Sequence, residues 1–179
     1  MNYCLSNGAN VDEKTILGET ALMFAVLEDN EQATRVLISN GADVNVKTKL
    51  SQTPINIAAG KANLEIVKLL VDNGANVRSE NMDVSPLHQA VQREYLENVK
   101  YLLEQGADVH AKKKKVLTPL MLATQNGDLE TTKILLEHGA EVNEVTPMGE
   151  SPFFFAVNSG NHELVKLLIE NEAETAVVD

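Results

Sequence analysis

Thr118-Pro119-Leu120-Met121-Leu122-Ala123, answered 21 residues after its threonine by Gly139-Ala140-Glu141-Val142-Asn143, decides the fold, because the chain repeats this pattern. The leading segment recurs as Thr20-Ala21-Leu22-Met23-Phe24-Ala25, Thr53-Pro54-Ile55-Asn56-Ile57-Ala58, Ser85-Pro86-Leu87-His88-Gln89-Ala90 and Ser151-Pro152-Phe153-Phe154-Phe155-Ala156. Its hydroxyl residues advance by 33, 32, 33 and 33, and Gly8, Gly41, Gly74, Gly106 and Gly139 run beside them. A fixed period of this size means one small unit stacked on copies of itself, with a continuous core between neighbours.

Local chemistry says what the unit is. Each hydroxyl residue offers the oxygen that an N-cap needs for an orphan helix N–H. Four are followed by proline (Pro54, Pro86, Pro119, Pro152), which is preset for the first helical position, and Ala21 is the exception. A second apolar run follows, as in Leu64-Glu65-Ile66-Val67-Lys68-Leu69-Leu70, with helical spacing of its hydrophobic residues. It stops before a glycine able to close a helix in the left-handed region. Each unit therefore reads as helix, turn, helix and an extended finger. Gly74 to Ser85 spans 11 residues where the other glycine-to-hydroxyl distances are 12, so the missing residue falls in the third finger, between Val77 and Ser85.

These segments closely resemble the ankyrin repeat, with its Thr-Pro-Leu-His-x-Ala signature and its period, over practically the whole chain. The resemblance implies an all-α solenoid of stacked helix-turn-helix units with projecting hairpin-like fingers. One domain, 1–179, is expected, with repeats at 15–47, 48–79, 80–112, 113–145 and 146–178. Tyr3-Cys4-Leu5-Ser6-Asn7-Gly8 aligns with Val36-Leu37-Ile38-Ser39-Asn40-Gly41, so residues 1–14 read as the remnant of an upstream repeat in a longer parent. At the other end Glu172 stands where the next glycine belongs, which suggests a near-natural stop and an acidic tail to Asp179; both ends are expected to fray. Asn45 and Asn143 lie eight residues after Leu37 and Leu135, a setting resembling that of hydroxylated asparagines in the family, though hinge hydrogen bonding is the simpler role.

Composition closes off other classes. With 179 residues, 44% hydrophobic and 23% charged, the chain suits a folded protein, and no apolar stretch approaches a membrane span. No basic segment followed by an apolar run marks a secretory signal. Cys4 is the one cysteine, which excludes an internal disulfide and points to a reducing, intracellular setting, cytoplasmic or nuclear. A net charge of −11 argues against nucleic acid and anionic membrane as partners. His88, His110, His138 and His162 are widely spaced and make a poor zinc set. No P-loop, glycine-rich phosphate cradle or HExxH occurs, so no cofactor, metal or catalytic residue is expected. His88 reads as a local hydrogen-bonding residue between repeats. Phe153, Phe154 and Phe155 read mainly as packing.

Two sets of residues remain for binding. Arg35, Lys68, Lys100, Lys133 and Lys166 share one register on the second helices, with Gln32, Glu65, Glu97, Glu130 and Glu163 three residues earlier, a pattern of weak ion pairs on a solvated outer face. The fingers are more informative. Three residues before each N-cap stand Leu17, Leu50, Met82, Lys115 and Met148, four of them apolar and forming a column open to a partner or to finger-to-finger packing. Residues 45–52, 77–84 and 109–117 carry +2, −1 and +4, whereas 11–19 and 142–150 each carry −2. The cations are Lys47, Lys49 and the run Lys112, Lys113, Lys114 and Lys115, with Lys61 and Arg93 on the first helices. The expected function is a non-enzymatic, monomeric scaffold that binds an acidic and apolar partner protein through the concave finger and inner-helix surface. The alternative is an accessory segment positioning a catalytic or membrane domain of a larger protein.

Overall fold

The computed structural model describes residues 10–78, 84–113 and 116–175. Among them ten helices form five successive pairs. The first pair is α1 (Ala21–Leu27) with α2 (Glu31–Ser39), and the second is α3 (Pro54–Ala59) with α4 (Leu64–Asp72). Then come α5 (Pro86–Gln92) with α6 (Leu96–Glu104), α7 (Pro119–Asn126) with α8 (Leu129–Glu137), and α9 (Pro152–Ser159) with α10 (His162–Glu170). Odd-numbered helices pack on one another in an inner layer and even-numbered helices in an outer layer. Extended pairing among the described residues is confined to one isolated antiparallel bridge, Lys113 to Leu117.

The period builds the core. Leu22, Ile55, Leu87 and Leu120 occupy one register of the inner layer, and Leu37, Leu70, Leu102, Leu135 and Leu168 one register of the outer layer; all are buried. In the fifth pair Phe153 stands in the leucine register and is only half-buried, while Phe155 is buried and meets Phe154 edge-on at 5.8 Å.

The hydroxyl caps form in four of five inner helices. Thr53, Ser85, Thr118 and Ser151 accept from the N–H groups of Asn56, His88, Met121 and Phe154. Thr20 does not: its hydroxyl is buried without a partner, and α1 is the helix whose first position lacks the proline that fixes φ.

Side chains also tie each pair to the next. Asn56 donates its amide to the Val84 carbonyl (2.9 Å), and His88 Nε2 lies 3.0 Å from the Leu117 carbonyl, one residue before the next N-cap in both cases. At the hinges Asn45 donates to Gly74 O and accepts from Asn76 N, and Asn143 does the same with Glu172 O and Glu174 N. Arg78 holds the Asn45 register in the next hinge and reproduces the donor half, Nε to Gly106 O at 3.1 Å. Asparagine in this column completes hinge hydrogen bonds.

Candidate functional site: a concave groove beside a row of finger tips

Thr15, Thr48 and Thr146, each five residues before an N-cap, staple the first, second and fifth fingers into one tight turn. The Thr48 hydroxyl accepts from Leu50 N and Gln52 N, its own N–H reaches Gln52 O, and Ser51 N reaches back to Thr48 O. Thr15 and Thr146 repeat this arrangement and also donate their hydroxyls to Glu19 and Glu150. The residue two after each threonine is thereby held at the tip: Leu17 (59% exposed), Leu50 (86%) and Met148 (86%). Fingers one and two meet through the Leu17 carbonyl, which accepts from Lys49 N at 2.9 Å. Met82, Lys114 and Lys115 lie outside the described residues.

The cations separate into bound and unbound. Lys112 is ion-paired to Glu144, and the half-buried Lys113 donates Nζ to Gln92 Oε1 at 2.6 Å, so the expected lysine run is partly neutralised by its own neighbours. On the outer helices Lys68, Lys100 and Lys133 pair with Glu65, Glu97 and Glu130 as spaced, at 2.8, 2.9 and 2.7 Å. Arg35 reaches Glu31, because Gln32 carries no charge, and Lys166 turns to Glu170 rather than to Glu163. The Glu65 hydrogen bond and charge draw Lys68 above its ordinary pKa, and Glu130 does so for Lys133. Lys47, Lys49, Lys61 and Arg93 form no ion pair among the described residues.

Lys61 and Arg93 line an open groove of about 410 Å³ across the inner faces of the first three pairs. Its first-pair end is apolar: Phe24 and Leu27 are each 44% exposed, with Met23 beneath. Ile57 and Gly60 form the middle beside Lys61. Gln89, Arg93 and Tyr95 form the far end. Glu19, Thr48 and Gln52 from the finger bases complete the rim, while the tips Leu17, Leu50 and Met148 stand outside it. The fingers and inner helices thus present two adjoining surfaces. The sequence reading picked out Lys61 and Arg93 but passed over Phe24, Leu27 and Tyr95.

One pair resembles catalytic machinery. Ser85 Oγ lies 2.6 Å from His88 Nδ1, a nucleophile-and-base arrangement invisible in the linear sequence. Both residues are buried, the hydroxyl caps α5, Ser85 N donates to Nδ1, and Nε2 lies 3.0 Å from Leu117 O and 3.1 Å from Lys113 N. Burial pushes the imidazole down to about 4, with Lys113 adding to the effect. Neither residue lines the groove, so the pair is a joint between repeats. No group of three or more histidine, cysteine or acidic residues suited to a metal occurs among the described residues. Nor is any helix there long and apolar enough to cross a membrane.

A family model for ankyrin repeats in three copies matches residues 33–113 and 87–179, and one for a single ankyrin repeat matches residues 17–46. Comparison with curated proteins gives no match. Repeats of this kind are generally protein–protein interaction modules and typically non-catalytic. With five helix pairs in one register and matches running from residue 17 to residue 179, the chain belongs to the ankyrin repeat family.

Proposed function

We propose that the chain is a non-catalytic binding module whose concave groove seats a segment of another protein, the finger tips extending the contact. The observation that carries this reading is the pairing of exposed Phe24 and Leu27 with Lys61 and Arg93, cations without carboxylate partners among the described residues of a molecule of net charge −11. Each apolar anchor contributes about 1–3 kcal/mol when fully covered by a ligand. The cations steer and register acidic groups, acting mainly on association rate and salt dependence. Leu17, Leu50 and Met148, with Met82 in the same register, are the apolar contacts of the finger edge, and Lys47 and Lys49 are cations of the second finger.

The test is photo-crosslinking from position 52, on the groove rim, and from position 50 in cell extract, repeated with Phe24→Glu/Leu27→Glu. Both substituted residues are exposed, so helicity should be retained. The expected result is a discrete adduct from position 52 that the double variant loses. Adducts unchanged by the double variant, with circular dichroism intact, would remove the groove from the binding surface.

A further inference from the structure

The turn joining inner to outer helix follows a common scheme in this chain. In the fourth and fifth pairs it places Gly127 (φ 73°) and Gly160 (φ 74°) in the left-handed region. Asp128 and Asn161 follow, and their side chains cap the next helix at Thr131 N and at Glu163 N and Leu164 N. Asn30 and Asn63 cap in the same way in the first and second pairs. Non-glycine residues hold the left-handed position in the first and third pairs, Asp29 at φ 56° and Glu94 at φ 59°. Only in the third pair does the N-cap residue, Tyr95, also make no side-chain hydrogen bond to the helix. Two local preferences are thus set aside side by side, and such departures gather where a sequence is shaped for a site rather than for stability.

Their place in the fold says which site. Arg93 and Tyr95 flank Glu94, and both line the third-pair end of the groove, with Lys61 towards the middle and Phe24 and Leu27 at the opposite end. A planar guanidinium fork without a carboxylate partner among the described residues, lining one groove with a phenol and an ammonium, suits a carboxylate. We propose that Arg93 and Tyr95, with Lys61, are the specificity-determining end of the groove and read an acidic side chain of a bound peptide whose apolar residue rests on Phe24 and Leu27. This rests on the groove reading above, and it adds the polarity of the ligand and the residues that select it.

The experiment pans a displayed library of random dodecapeptides on the full chain. A selected peptide, its Asn/Gln counterpart and its phosphoserine counterpart are then titrated by fluorescence anisotropy. Receptors are the parent chain, Tyr95→Asn, Arg93→Gln and Phe24→Glu/Leu27→Glu. Enriched peptides should carry an acidic residue at fixed spacing from an apolar one. Tyr95→Asn should raise Tm by restoring the cap yet weaken the acidic peptide at least tenfold. Arg93→Gln should weaken it similarly and flatten the salt dependence, and the Asn/Gln peptide should bind the parent chain no better than the acidic peptide binds Arg93→Gln. Enrichment without acidic residues, unchanged affinity or lowered Tm in Tyr95→Asn, or tighter binding of the phosphoserine peptide would each overturn the carboxylate assignment. If Phe24→Glu/Leu27→Glu still abolishes binding in those cases, the groove reading survives alone. Peptides that bind this double variant undiminished, or the absence of any enriched peptide, overturn both.

Discussion

His88 shows how far one residue carries the architecture. Its neutral ring receives Ser85 N on one side and faces Leu117 O on the other, joining the third pair to the fourth as Asn56 joins the second to the third. Burial holds its folded pKa at about 4, below the ordinary 6.5, against the opposing hydrogen bond to the Leu117 carbonyl. The sign follows directly: the neutral form is favoured by folding, so the contribution is complete above about pH 6.5 and is lost as pH falls towards 4. The loss is at most roughly 3 kcal/mol. Urea midpoints measured from pH 7 to pH 4 should fall for the parent chain and fall distinctly less for His88→Asn, which keeps an amide link and removes the titration. At the first inner helix, Thr20 is already extended (φ −114°, ψ 168°), as a residue before proline must be, and Ala21 is exposed. Ala21→Pro should therefore raise stability by about 0.4–1 kcal/mol, read as an increase in Tm.

The finger is the element whose form was least legible in the sequence. The apolar column of Leu17, Leu50 and Met148 could be read from spacing alone. The threonine staple that holds it at the tip could not, because Lys113 and Glu80 occupy the same register elsewhere and blur the pattern. Fingers one and two meet backbone to backbone, and a Cβ on Gly18 would stand 3.2 Å from Thr48 Cα and 3.3 Å from Lys49 N, at φ 84°. Gly18→Ala should cost about 1–2 kcal/mol and expose the Lys49 amide, seen as faster hydrogen exchange there. The inner helices and their caps were legible because both answer to local rules: proline at the first helical position, a hydroxyl before it, apolar residues at helical spacing. The groove answers to neighbours. Phe24 shares its register with Leu122 and Phe155, which are buried, so nothing in its own segment marks it as exposed. Lys112 and Lys113 looked free for the same reason, their partners Glu144 and Gln92 being brought to them only by stacking.

For the molecule as a whole, the two-layer stack makes stability a sum of pairs and of the interfaces between adjacent pairs. Leu102 is fully buried at the centre, and Leu168 holds the same register in the last pair. Leu102→Ala should cost about 2–5 kcal/mol and lower the urea m-value by dividing unfolding into two steps, because it weakens the coupling through which the halves cooperate. Leu168→Ala should leave hydrogen exchange in α1 to α4 unchanged and speed it in α9 and α10. The same joints have a mechanical side. Asn56 to Val84 and His88 to Leu117 are side-chain-to-carbonyl links between adjacent pairs, spaced along the stack. Small rotations at successive joints add up, so the stack is elastic. A rigid occupant could straighten or tighten it, moving Phe24 and Arg93 apart or together without disturbing any single helix pair.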